Sequence, residues 1–201
     1  MARKGVTTEA VVEAAAQLAD AGGLEQLTLV RLAAELHIQP SSLFNHIAGL
    51  GELRRLLQLR GLRELTACVG RAAIGRAGED AVLATAVAVR QFAREHPGLY
   101  AASLPAPTQD AARDPDLNAA AAEFVGIFFD AMRQYGYEGE EAVHVVRGLF
   151  STVHGFIMLE RAGTFGMPVD PDASFHWLVR RYIAVLPGAS SPQAPHEKSK
   201  P

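Results

Sequence analysis

The chain holds a single cysteine, Cys68, among 201 residues. One thiol excludes an internal disulfide and any metal cage built from several cysteines, and it fits a reducing, cytoplasmic setting. An excess of one charge is lacking as well. Nineteen basic residues against 22 acidic ones leave a formal net charge of -3, so bulk charge points to neither nucleic acid nor membrane. No stretch reaches eighteen consecutive apolar residues, and no membrane span is expected. Met1 to Gly5 is basic, but Glu9 and Glu13 interrupt the apolar residues after it, so no signal peptide is expected either. Signatures of catalysis are also missing. There is no G-x-S-x-G, no Walker loop, no H-E-x-x-H and no Ser–His–Asp set. His144 and His154, ten residues apart, do not share a helix face for a metal, and Glu140 and Glu141 suit the dipole of a helix start. No enzyme activity, cofactor or metal is expected.

Runs of alternating β-branched residues are absent, and the periodicity is helical nearly throughout, which predicts an all-α fold. Thr8 is expected to cap a first helix that ends at Gly22-Gly23. Thr28 caps a second, from Leu29 to about Leu36, and Pro40 suits the first position of a third. After Ala48-Gly-Leu-Gly51 comes a long helix from about Glu52 to Ala73. Others run from Glu79 to His96, Asp116 to Tyr135, Gly139 to Ala162 and Asp172 to Leu186. Pro187 onward is Pro, Ser and Lys without periodicity, the composition of a disordered tail.

The stretch Ile38-Gln-Pro-Ser-Ser-Leu-Phe-Asn-His-Ile47 is unusual. At about 100° per residue, Pro40, Leu43, Phe44 and Ile47 fall on one arc, and Ser41, Ser42, Asn45 and His46 on the other. The apolar arc is expected to bury against the first two helices. The polar arc carries no long charged side chain, only short groups that donate and accept hydrogen bonds. Such a surface can sink into the major groove of DNA, as the second helix of a helix-turn-helix does. A cap-rich short helix that is polar merely because it is exposed is the competing reading. A helical adaptor that binds protein is another, but it requires an exposed apolar anchor, which the polar arc lacks.

The segment Leu27-Thr-Leu-Val-Arg-Leu-Ala-Ala-Glu-Leu-His-Ile-Gln-Pro-Ser-Ser-Leu-Phe-Asn-His-Ile47 resembles the DNA-binding domain of TetR-family transcriptional regulators. The likeness lies in the L-T-x-x-x-L-A-x-x-L core and the S-L-[YF]-x-H pattern. Arg94-Glu-His-Pro-Gly-Leu-Tyr100, His154-Gly-Phe-x-x-Leu-Glu160 and Gly163-Thr-Phe-Gly166 are similar to the WHG-type ligand domain of that family.

The resemblance implies a three-helix reading domain over residues 1–51, a ligand-binding and dimerisation domain over 52–186, and a tail over 187–201. It implies that Ser41, Ser42 and Asn45 face bases or phosphates, that Phe44 packs on the DNA backbone and that His46 touches a phosphate. It also implies that Thr28 places helix N–H groups at a phosphate with Arg31 nearby, and that Arg3 and Lys4 form an arm along the duplex. Where many members have a Lys at the start of the long helix, this chain has Ala48-Gly-Leu-Gly51, so backbone N–H groups would have to serve. Through residue 65, seven basic residues balance seven acids, which predicts modest non-specific binding and a shallow salt dependence.

One eight-residue helix reads few base pairs, so such proteins work as dimers on paired half-sites. Gly148, Ser151, Gly155 and Ala162 form a stripe of small residues on a helix apolar nearly all round, and the last helix adds Phe175, Leu178 and Tyr182. These residues are the expected homodimer surface; packing within the subunit alone is the alternative. Phe92, Tyr100, Phe124, Phe128, Phe150, His154 and Met158 are candidates to line an effector pocket, or else are core. His154 would orient a polar ligand group, cap a neighbouring helix or simply be satisfied inside. The expected partners are an operator in double-stranded DNA, a small-molecule effector and a second copy of the chain.

Overall fold

A computed structural model describes residues 6–104 and 114–186. The expected tail, the arm residues Arg3 and Lys4, and most of the Pro105–Pro115 loop lie outside the described residues. The described chain is helical: α1 Thr8–Gly22, α2 Leu29–Glu35, α3 Leu50–Ala73, α4 Gly78–Glu95, α5 Pro97–Ser103, α6 Pro115–Arg133, α7 Gly139–Arg161 and α8 Pro171–Ala184. Two 3₁₀ segments, Leu24–Gln26 and Pro40–Asn45, complete the set. The helix boundaries match those expected from sequence to within about two residues.

One cap differs. Thr7, not Thr8, starts α1: its Oγ1 accepts the Ala10 N–H at 3.2 Å. Thr8 is already helical, and its hydroxyl donates to the His46 carbonyl at 3.2 Å, tying α1 to the end of the 3₁₀ helix that comes after α2. At α2 the expected cap holds, with Thr28 Oγ1 accepting from the Arg31 N–H. The turn after α2 places His37 at φ 54°, in the left-handed region that a glycine would enter without strain. The Ile38 N–H then closes back onto the Ala33 carbonyl at 3.0 Å.

Compactness divides the chain into two units that cut across helices. The first holds residues up to Arg71 and Ala88–Gly126; the second holds Ala72–Val87 and the residues from Ile127 on. In the first, α1 packs against α2 and α5, and α2 packs against the short helix Pro40–Asn45. Val11, Ala15, Leu32, Leu43, Leu53 and Leu57 are fully buried there. Leu59 and Leu62 of α3 meet Leu117, Ala120 and Ala121 of α6 in a smaller cluster.

α5 is seated by two glycines. A Cβ on Gly98 would collide with the Ala19 carbonyl group of α1, and one on Gly61 of α3 would come within 2.7 Å of the Leu99 carbonyl oxygen. In the second unit, α7 packs on α8, with Leu149, Val153 and Ile157 buried on one helix and Phe175, Val179 and Ile183 on the other. Phe156 bridges this pair by ring contacts to Phe165 and Phe175 at 4.7 and 5.1 Å.

Candidate DNA-reading surface

The short helix Pro40–Asn45 is a 3₁₀ turn, not the α-helix expected. At about three residues per turn, Phe44 stands some 120° from Pro40 rather than about 40° as in an α-helix. The expected apolar arc therefore breaks up. Leu43 and Ile47 are buried, but Pro40 and Phe44 are exposed, Phe44 to 59%. Leu43 is the one buried side chain of the six-residue helix. Ser41 and Asn45 are exposed beside Phe44, while Ser42 and His46 are half-buried. The outward surface thus combines short hydrogen-bonding groups with one aromatic ring. The exposed apolar anchor that a protein-binding adaptor needs, expected to be missing here, is in fact present.

Thr28 and Arg31 lie at the start of α2, which packs on this helix. Arg31 is held against its own chain, its Nη1 donating to the Gln26 backbone oxygen at 3.2 Å and to Gln26 Oε1 at 2.8 Å. That fixes the direction of the one cation on α2. Val30 beside it is exposed, an apolar group at the same edge. At the start of α3 the Ala48 N–H is taken: the Glu52 carboxylate accepts it. Of the backbone N–H groups at Ala48–Gly51 expected to serve a phosphate, the one on Ala48 is thus engaged by the chain's own negative charge.

Beyond the short helix Pro40–Asn45, the expected pocket residues divide. Phe92, Tyr100 and Phe124 belong to the first compact unit; Phe128, Phe150, His154 and Met158 belong to the second. Phe92, Tyr100, Phe124 and Phe128 are buried. Phe150 and His154 are half-buried, with rings stacked at 6.1 Å and 6°. Burial pushes the His154 imidazole below its ordinary value, because desolvation disfavours the charged ring. Met158 is 45% exposed. It shares the outer stripe of Ser151 and Gly155, seven and three residues away, and has no core position.

The dimer candidates also sort into two groups. Gly148 is filled from within its own chain: a Cβ there would sit 2.5 Å from the Tyr182 hydroxyl, which donates to the Val145 carbonyl at 2.7 Å. Phe175 is wholly buried, and Leu178 is half-buried. Ser151 is exposed and Gly155 faces open space. Sequence reasoning placed Met158 in the pocket and missed the exposed apolar residues that accompany it: Leu159 on α7, Trp177 on α8 and Val185 at the C-cap of α8. The i, i+3 and i+7 spacing of Met158 from the small-residue stripe was the signal that could have found part of this exposed set.

Comparison with known proteins agrees with this architecture. Residues 82–182 match the family model of the tetracyclin repressor-like C-terminal domain. An uncharacterised HTH-type transcriptional regulator of Mycobacterium tuberculosis is 34% identical over 179 residues, which is 89% of this chain and 81% of the relative. The HTH-type regulator YobS of Bacillus subtilis is 32% identical over 185 residues, covering 92% and 94%. Among solved structures, a protein of unknown function from a Rhodococcus species superposes with a TM-score of 0.73 at 20% identity, covering 92% of this chain and 97% of that one. A TetR variant from Acinetobacter baumannii, solved with minocycline, superposes with a TM-score of 0.65 at 20% identity, covering 90% and 96%. An all-helical chain with an N-terminal helix-turn-helix and a helical C-terminal half defines a helix-turn-helix transcriptional regulator. The chain belongs to the TetR family of transcriptional regulators.

Proposed function

We propose that this regulator is a repressor that binds an inverted-repeat operator as a homodimer and releases it when a small molecule occupies the C-terminal half. One observation carries the reading. The short helix Pro40–Asn45 keeps only Leu43 inside and turns Ser41, Phe44 and Asn45 outward. Short polar groups suit base edges in the major groove, and the ring suits the sugar-phosphate wall. Thr28, Arg31, Ser42 and His46 position the head on phosphates, with Arg3 and Lys4 as an arm. On this reading the functional division falls at residue 51, with reading below it and sensing and pairing above it, in the cytoplasm.

Pairing is supported by α7 and α8. α7 is by length and composition apolar enough to cross a membrane, yet only 33% of that apolar window is buried within the chain. Met158 and Leu159 on α7, Trp177 on α8 and Val185 at its C-cap remain exposed, and a second copy would cover them as two-fold pairs do. Ser151 and Gly155 would let the partner helix approach closely, with Leu178 at the margin. Effector contacts are assigned within the second unit to Phe128 and the Phe150–His154 stack, and within the first, by themselves, to Phe92, Tyr100 and Phe124. In its neutral form the His154 ring carries one N–H donor and one acceptor nitrogen.

The test is selection from a random duplex DNA pool at low salt. An enriched inverted repeat, lost in Asn45→Ala and His46→Ala, supports the reading. No enrichment at any salt concentration, with protein that remains folded, overturns it.

A further inference from the structure

Asp20 lies near the C-terminal end of α1, at the other end of that helix from the Thr8–His46 bond, and the regulator reading assigns it no task. It is 21% exposed at the side chain, and both oxygens are engaged. Oδ1 accepts the N–H groups of Gly98 at 2.8 Å and Leu99 at 2.9 Å, the first free donors of α5. Oδ2 stands 3.2 Å from His96 Nδ1, in the residue that immediately precedes α5. Helix starts leave such donors unsatisfied, and a carboxylate answers both the hydrogen bonds and the dipole. The capping group here comes from a helix 78 residues away in sequence.

The same contact is tightened by shape. Gly98 lets the α5 backbone rest directly on the Ala19 carbonyl, and Gly61 lets α3 close on Leu99 and Ser103 from another side. A further tie joins α1 to α3: Arg60 pairs with Glu13 at 2.6 Å and with Glu64 at 2.7 Å. α5 comes directly after α4, a helix that runs unbroken from Gly78, in the second compact unit, to Glu95, in the first. α1 in turn carries the reading helix through the Thr8–His46 bond.

We propose that Asp20 is a positioning residue for operator recognition: by capping α5 it fixes α1, and the reading helix with it, to the chain that enters from the effector half. The inference rests on the regulator reading. Its consequence is specific. The latch sets the separation of two reading heads in a dimer and leaves untouched what each head reads.

The experiment uses the full-length protein and the operator selected from the random pool. Duplexes are compared that carry the selected repeat, the same half-sites moved one base pair closer or farther, and one half-site alone. Asp20→Ala is expected to bind the single half-site as wild type does while losing about five-fold of its discrimination between selected and shifted spacings, the size of a helix-cap loss. Amide exchange at Gly98 and Leu99 is expected to quicken in the same variant. Asp20→Asn, which keeps a neutral acceptor, is expected to fall between the two and serves if Asp20→Ala does not fold. Wild-type spacing discrimination in both variants overturns the inference alone. Equal weakening on half-site and full operator also overturns it, because that is the mark of a merely structural role. Failure of the wild type to select any DNA overturns the regulator reading and the inference together.

Discussion

Among the described glycines the sharpest steric constraint is at Gly98. A methyl group there would meet the carbonyl carbon and oxygen of Ala19 and the backbone nitrogen of Asp20. These are backbone atoms of a helix, so no rotamer change can clear them. Gly98→Ala must lift α5 from α1 and stretch the Asp20 cap. Overpacking of this kind costs about 1–3 kcal/mol, and an immovable obstacle belongs at the top of that range. Against it stands the helix preference for Ala over Gly, about 1 kcal/mol. The net is a destabilisation of about 2 kcal/mol, or a fall in Tm of about 4–8 °C for a chain of this size. The control is Gly126→Ala. Gly126 lies in α6, and a Cβ there meets nothing within 4 Å, so only the propensity gain of about 0.5–1 kcal/mol remains. Urea unfolding of the two variants should move in opposite directions. Gly98→Ala as stable as wild type would show that α5 is not seated on the α1 backbone, and the proposed latch would fall with it.

Four other outcomes are expected. Phe44→Ala, removing a ring that is 59% exposed, should change stability by no more than a surface substitution does, about 0.5 kcal/mol, while weakening operator binding in a mobility-shift assay; an unchanged affinity would remove Phe44 from the interface. Gly155→Ala has open space within the chain and Gly148→Ala meets Tyr182, so sedimentation should show Gly155→Ala weakening the dimer with the fold intact, whereas Gly148→Ala should lower stability. Glu52→Gln removes the negative charge that accepts the Ala48 N–H and should raise DNA affinity and steepen its salt dependence by about one phosphate's worth; a lower affinity would mean the cap matters more than the charge. The Arg55 hydrogen bond holds the Asp114 carboxyl below its ordinary value of 3.8. A depressed carboxylate contributes stability that is present above its unfolded value and lost as pH falls through its folded one. Asp114→Asn should therefore be less stable than wild type at neutral pH, with the gap closing in acid; a gap constant from about pH 6 to about pH 2 contradicts the pairing.

What could be read in the sequence was what is decided locally. Thr28, Pro40, Pro97 and the Gly22-Gly23 pair mark helix ends because caps, ring closure and φ are settled within a few residues. The kind of helix at residues 40–45 was not legible. α and 3₁₀ turns differ by only about 20° per residue, yet that difference turns Phe44 from the core to the surface. Nor was the Asp20 cap legible, because its donors lie 78 residues on and nothing near Asp20 announces them. The motif Arg94 to Tyr100 stood out in the sequence, but its reason, a glycine pressed on another helix's backbone, belongs to packing. Gly148 and Gly155 look alike in the sequence; only the tyrosine lying against the first and the open space beside the second tell them apart.

The reading helix is held to its domain chiefly by Leu43, the one side chain of six that it buries. Its outward residues therefore owe almost nothing to folding. On the proposed function, a lineage can exchange Ser41, Phe44 or Asn45, and with them the operator, without passing through unstable intermediates, since surface changes move stability by only about 0.5 kcal/mol. Leu43 and Ile47 have no such freedom. In this chain the freedom to acquire a new target gene and the requirement to stay folded sit on adjacent residues of a single turn.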